Sequence, residues 1–149
     1  MNKTAVAASI LVIIMLLVSC MKKETAVSIP DINRIQGVSW YLTQVGGSPV
    51  SLPADGKQPY MALDPTQKQA TGFAGCNHFF GSYELDGSSL TFGPIGATRM
   101  ACPDLETGLE MSVFEALEST RNWKKSDGDL LLLDEDAVLA RFSFQKNES

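Results

Sequence analysis

Gly75-Cys76-Asn77-His78-Phe79-Phe80-Gly81-Ser82-Tyr83 is followed, after a short turn, by Ala97-Thr98-Arg99-Met100-Ala101-Cys102-Pro103-Asp104. Between Gly75 and Asp104 lie the single histidine of the 149-residue chain, two of its three cysteines and a dense set of glycines. Ser82–Leu85 and Ser89–Phe92 flank Asp86-Gly87-Ser88, and Asp-Gly between alternating runs is a strong hairpin signal. Gly93-Pro94 stops the second arm, and Ile95 to Met100 is expected to begin a further strand. The stretch is thus a β-hairpin region at the centre of one small domain.

Upstream, Gly37 to Val45 alternates, placing Val38, Trp40 and Leu42 on one face of a half-buried strand. Gly46-Gly47 turns it, and Pro49 to Leu52 is read as a short return strand. Pro59 to Leu63 is a strand, and Asp64-Pro65 opens a turn. Gln69 to Gly75 returns, with Gly72 and Gly75 suggesting a bulge or a close backbone approach. Asn77, Gly75 and Gly81 suit a tight turn, where left-handed conformations cost little.

Downstream, Leu105, Leu109, Val113, Ala116 and Leu117 recur at helical spacing, so an amphipathic helix is expected over Leu105 to Ser119. Asp104 is its candidate cap, Phe114 widens the buried face, and Glu106, Glu110, Glu115 and Glu118 take the far side. Three closing strands follow. Arg121–Lys125 enters an Asp127-Gly128 turn, Leu130–Leu133 is continuously apolar, and Val138, Ala140, Phe142 and Phe144 face one way. Many short strands joined by turns, with one helix, make a single α+β domain with a mostly antiparallel sheet. Barrel-like curling would remove its exposed edges. No tandem repeat is present.

The amino terminus sets the context. Met1–Thr4 carries Lys3, and Ala5–Val18 is apolar except for Ser9. That run is shorter than the roughly 20 residues a spanning helix requires, and describes a secretory signal. Its exit, Leu17-Val18-Ser19-Cys20, resembles a bacterial lipobox. The resemblance implies removal of residues 1–19, acylation of Cys20, and a lipid anchor to the cell envelope. Met21 rather than Asp follows Cys20, which favours the outer over the inner membrane, with the domain in the periplasm or at the cell surface. Residues 20–35 are polar and aperiodic and are read as a tether, residues 36–145 as the domain, and residues 146–149 as a frayed tail.

Lipidation of Cys20 leaves Cys76 and Cys102, an even pair in an oxidising compartment, for which a disulfide is expected. Bridging the loop would contribute about 3.5 kcal/mol by the chain-entropy model. The alternative is a pair of reduced, buried thiols. With Lys3 removed, eleven basic residues face seventeen acidic ones, and no basic stripe is interleaved with aromatics. That balance argues against nucleic acid as a partner.

Gly75-Cys76-Asn77, Gly81-Ser82-Tyr83, Thr98-Arg99-Met100-Ala101-Cys102-Pro103-Asp104, Glu110 and Val113-Phe114-Glu115-Ala116-Leu117 together resemble the META domain, the family typified by HslJ-type bacterial heat-shock lipoproteins. Trp40-Tyr41-Leu42 and Leu130–Leu133 match its flanking strands, so the resemblance spans Gly37 to Phe144. It implies a small α+β envelope domain linked to stress response, with no agreed catalytic residues to carry over.

The residues themselves suggest three chemistries. Cys76 and His78, two apart on an extended segment, share a face and with Cys102 and Asp104 resemble a zinc set, but a disulfide would consume both thiols. A Cys76–His78 nucleophile meets the same objection and lacks an orienting third group. No catalytic residue, metal or cofactor is therefore expected. The third chemistry is binding. His78, Phe79, Phe80 and Arg99 form the candidate patch for an unknown envelope protein or small ligand. One ring of the Phe79-Phe80 pair should face the core and the other solvent. Arg99 is expected either to pair with a carboxylate or to face an anionic partner. A protease-inhibitor-like module, with the stapled loop entering a cleft, is the alternative.

Overall fold

A computed structural model describes residues 35–52, 56–102 and 107–144. The stretches read as a lipobox with Cys20 and as a tether up to Arg34, the helix start from Pro103 to Glu106, and the tail from Lys146 lie outside the described residues. Ile35, expected as the last tether residue, is 1% exposed, and its carbonyl accepts the indole N–H of Trp40 at 2.9 Å. The domain therefore already includes Ile35. A single isoleucine between Arg34 and Gln36 has no periodic company, so the sequence pattern does not mark it.

The strands are β1 (Ser39–Val45), β2 (Ser48–Pro49), β3 (Tyr60–Asp64), β4 (Gln69–Phe73), β5 (His78–Asp86), β6 (Ser89–Phe92) and β7 (Gly96–Ala97). After the helix α1 (Thr107–Ser119) come β8 (Asn122–Ser126), β9 (Asp129–Asp134) and β10 (Ala137–Ser143). All pairings are antiparallel, in the order β10-β9-β8-β6-β5-β4-β3-β1-β2, with β7 on β5. β10 also pairs β1, so the path returns on itself. The curling expected from the many short strands is present, and it leaves the main strands paired on both sides.

Alternation puts Trp40 and Leu42 inside β1. A bulge between Leu42 and Gln44 in the ladder with β10 then moves the next buried side chain to Val45. Gly46 and Gly47 follow at φ 57° and 78°, the left-handed pair a two-residue hairpin turn requires. The return strand is only Ser48–Pro49, followed by one further bond to β1 from the Val50 N–H to the Thr43 carbonyl at 2.9 Å. Asp64 Oδ1 accepts the N–H groups of Thr66 and Gln67 at 2.7 and 3.1 Å, closing the next turn. Gly72 is the close approach its sequence suggests. A Cβ there would overlap the Tyr60 carbonyl oxygen and the Phe79 ring.

Within the ring, α1 packs on β1, β6, β9 and β10, burying Val113, Ala116 and Leu117 with Trp40, Leu42, Met61, Leu130, Leu132 and Phe142. Each large side chain so buried contributes about 1.5–3 kcal/mol. Arg121 donates to the Glu118 and Thr120 carbonyls, both at 2.9 Å, covering acceptors left over at the helix end. Leu131 and Leu133 are buried as well as Leu130 and Leu132, the two-faced burial a continuous apolar run implies. In β10 the expected single face fails at Val138, which is 43% exposed. A bulge between Val138 and Ala140 reverses the side-chain sense, leaving Ala140 and Phe142 inside.

Tyr83 is buried with its hydroxyl satisfied on both sides. It donates to the Asp64 carbonyl at 3.0 Å and accepts from Gln36 Nε2 at 2.5 Å. Burial raises its pKa above that of an ordinary phenol, the Gln36 bond opposes the shift, and Asp64 reinforces it.

Candidate functional site

Cys76 and Cys102 form a disulfide with their Cα atoms 6.0 Å apart, normal spacing for such a bridge. Beside it Asn77, only 5% exposed, collects a set of hydrogen bonds that sequence reading did not anticipate. Its Oδ1 accepts the Met100 N–H at 2.7 Å and the Thr98 hydroxyl at 2.9 Å. Its side-chain NH2 reaches Glu110 Oε1 at 3.2 Å and the Met100 carbonyl at 3.4 Å, and its backbone N–H donates to Glu110 Oε2 at 2.7 Å. Asn77 is therefore not a left-handed turn residue. It joins β5, the segment after β7 and α1, while Gly75 alone in this turn has positive φ, at 108°. Glu110, expected on the far face of the helix, points into this junction instead. Gly81 serves close packing, since a Cβ there would meet Ile95 Cδ1 at 2.8 Å.

These bonds explain why the strand expected over Ile95 to Met100 shortens to Gly96–Ala97. Thr98 N–H still reaches the His78 carbonyl at 3.0 Å, but the Thr98 hydroxyl and the Met100 N–H go to a side chain rather than a ladder. The segment is thereby fastened along β5, which is not the protruding loop a protease cleft would take. With both sulfurs in the bridge, neither Cys76 nor Cys102 is a free thiolate able to act as nucleophile or metal ligand. Of the other two members of the notional zinc set, His78 is exposed and Asp104 lies outside the described residues.

The four patch residues separate. Phe79 is 2% exposed and packs edge-on to Phe114 at 6.2 Å, so it belongs to the core and cannot meet a partner. Strand alternation is the cause, because it turns His78 and Phe80 outward together. Phe80 is 55% exposed and lies over Gly96, where a Cβ would meet its ring at 2.8 Å. Arg99 is exposed and makes no ion pair among the described residues. Met100 beside it is also exposed.

His78 faces a different neighbourhood. Its ring lies 5.2 Å from that of Phe73, and its Nδ1 is 3.2 Å from the Gly72 carbonyl oxygen. A carbonyl only accepts, so Nδ1 carries the proton and Nε2 is left for other contacts. The two rings border an open depression of about 410 Å³ that also includes Tyr41 and Tyr60. Ser39, Lys57 and Gln58 complete its lining. The depression is absent from the sequence reading, which had no access to the pairing register that assembles it.

A family model described as META domain matches residues 33–147. Among solved structures, an NMR structure of a protein from Burkholderia xenovorans aligns with a TM-score of 0.58 at 27% identity, covering 76% of this chain and 85% of that one. A second NMR structure aligns with a TM-score of 0.59 at 22% identity, covering 76% of this chain and 93% of its own, a likeness of fold alone. No curated protein sequence matches.

Proposed function

The chain belongs to the META domain family, and from that membership we propose a non-enzymatic, lipid-anchored protein of the bacterial cell envelope. It maintains the envelope or supports tolerance of heat and antibiotics by binding a partner through the surface over the Cys76–Cys102 staple. What carries this reading is Phe80, a large apolar side chain 55% exposed on a strand whose neighbouring segment is held by a disulfide. An ordered, exposed aromatic loses little conformational freedom when a partner covers it. Arg99 and Met100 on the adjoining segment supply a cation and a second exposed apolar side chain, a composition favoured at protein interfaces. The lipobox ending at Cys20 supports the membrane anchor.

The test is deletion of the gene, then complementation with the natural sequence and with Phe80→Asp/Arg99→Glu, under heat, detergent and antibiotic challenge. The deletion should sensitise cells, and the double variant should accumulate normally without restoring tolerance. Full tolerance in the deletion strain, or full rescue by the double variant, would overturn the proposal. Mass spectrometry of the mature protein should find diacyl or triacyl mass on Cys20; an unmodified amino terminus would refute the anchor.

A further inference from the structure

The register of four consecutive strands brings four rings into one line. Tyr41 of β1 pairs directly with Tyr60 of β3, Tyr60 with Phe73 of β4, and Phe73 with His78 of β5. Directly paired residues share a sheet face. Trp40, Met61 and Phe79 point into the core, so the row occupies the outer face. Neighbouring strands lie about 4.8 Å apart, which makes the row about 14 Å long. The rings are tilted rather than coplanar, by 51° between Tyr41 and Tyr60 and by 50° between Phe73 and His78. They form a corrugated wall in which a flat ring finds both a face and an edge.

Charge narrows the occupant. The chain is acidic, with a net charge of −5, yet the lining of this depression contains Lys57 and His78 and, among the described residues, no carboxylate. A cationic ligand would gain the ring faces but meet Lys57. A small hydrated anion would find only one ammonium and a largely aromatic surface. A ring that carries a carboxylate satisfies both halves, with its ring against the half-buried Tyr41 and Tyr60, its edge over Phe73, which is only 8% exposed, and its charge at Lys57. The cavity volume falls within the range of small-molecule sites. We propose that the depression binds a carboxylate borne on a six-membered ring, through the Tyr41–Tyr60–Phe73–His78 row and Lys57. The site adjoins the Phe80 and Arg99 surface through His78, which is two residues from Phe80 on the same strand face, but its lining includes neither residue, and it goes beyond the envelope role.

Two sources share this chemistry, aromatic acids and uronic acid sugars. The full chain, isotope-labelled and held in detergent micelles, is titrated by NMR with 4-hydroxybenzoate, glucuronate, glucose and acetate. At least one of the two ring carboxylates should give saturable shifts at Tyr41, Tyr60, Phe73 and His78, with Kd on the order of 1–10 mM for so small a ligand. Whichever binds more tightly identifies the source. Acetate, lacking the ring, and glucose, lacking the charge, should bind at least about tenfold more weakly. Lys57→Glu, at an exposed side chain, should weaken the carboxylate by about tenfold or more, a change of about 1.4 kcal/mol. Arg99→Ala should leave binding unchanged. No saturable shift with either ring carboxylate, equal binding of glucose, or indifference to Lys57→Glu would overturn the proposal.

Discussion

Glu110 accepts two hydrogen bonds from Asn77, one from the backbone N–H at 2.7 Å and one from the side-chain amide at 3.2 Å. A single carboxylate thereby links the helix to the first residue after Cys76. Asn77→Ala removes the side-chain bonds and strands the Met100 N–H and the Thr98 hydroxyl, for a loss of about 3 kcal/mol at roughly 1 kcal/mol per bond. Urea unfolding of the purified domain measures it. A loss below about 0.5 kcal/mol would mean that the junction contributes nothing.

Asn77→Asp places a second carboxylate against Glu110. Like charges disfavour their joint ionisation, so this variant should be destabilised more at pH 7 than at pH 4, relative to the natural sequence. Parallel thermal melts at the two pH values decide the matter, and equal deficits would refute the contact.

Gly72→Ala tests the crowding between β3 and β5. A methyl at this position overlaps the Tyr60 carbonyl oxygen, which is backbone and cannot turn away. The expected cost is about 3 kcal/mol or more, from overpacking in a tightly paired sheet. Gly87→Ala is the comparison: nothing lies within 4 Å, but φ is +55°, so its smaller cost is backbone strain alone. Equal losses would count against the packing described at Gly72.

Tyr83 should shape the alkaline limb of stability. Its folded pKa lies above the unfolded value, chiefly because burial disfavours the phenolate. Above about pH 10 the unfolded chain therefore releases this proton first, and stability falls as pH rises towards the folded pKa. Below pH 10 the residue contributes no pH dependence. Urea midpoints at pH 9 and pH 11 should fall less for Tyr83→Phe than for the natural sequence. Identical slopes would contradict the assignment.

Local chemistry announced much of this fold. Gly46-Gly47, Asp86-Gly87 and Asp127-Gly128 each turn a hairpin, and Val113, Ala116 and Leu117 mark the helix face. The outward Phe80 and inward Phe79 also follow from alternation. What escaped was set by partners distant in the chain. The bulges that bury Val45 and expose Val138 exist only in ladders with another strand, and closure depends on β1 meeting β10 across the whole domain. The row from Tyr41 to His78 requires three registers at once, and its members read individually as ordinary strand residues. Asn77 has the composition of a turn residue, and only Glu110, 33 positions later, turns it into a buried junction.

The staple between Cys76 and Cys102 is tested most directly by alkylating the unreduced, denatured protein isolated from an oxidising compartment, followed by digestion and mass analysis. Predicted are no alkylated residue at either position and a linked pair of peptides, with reduction costing about 3.5 kcal/mol of stability. Recovery of the folded protein with both cysteines alkylated would contradict the arrangement on which the Phe80 surface rests.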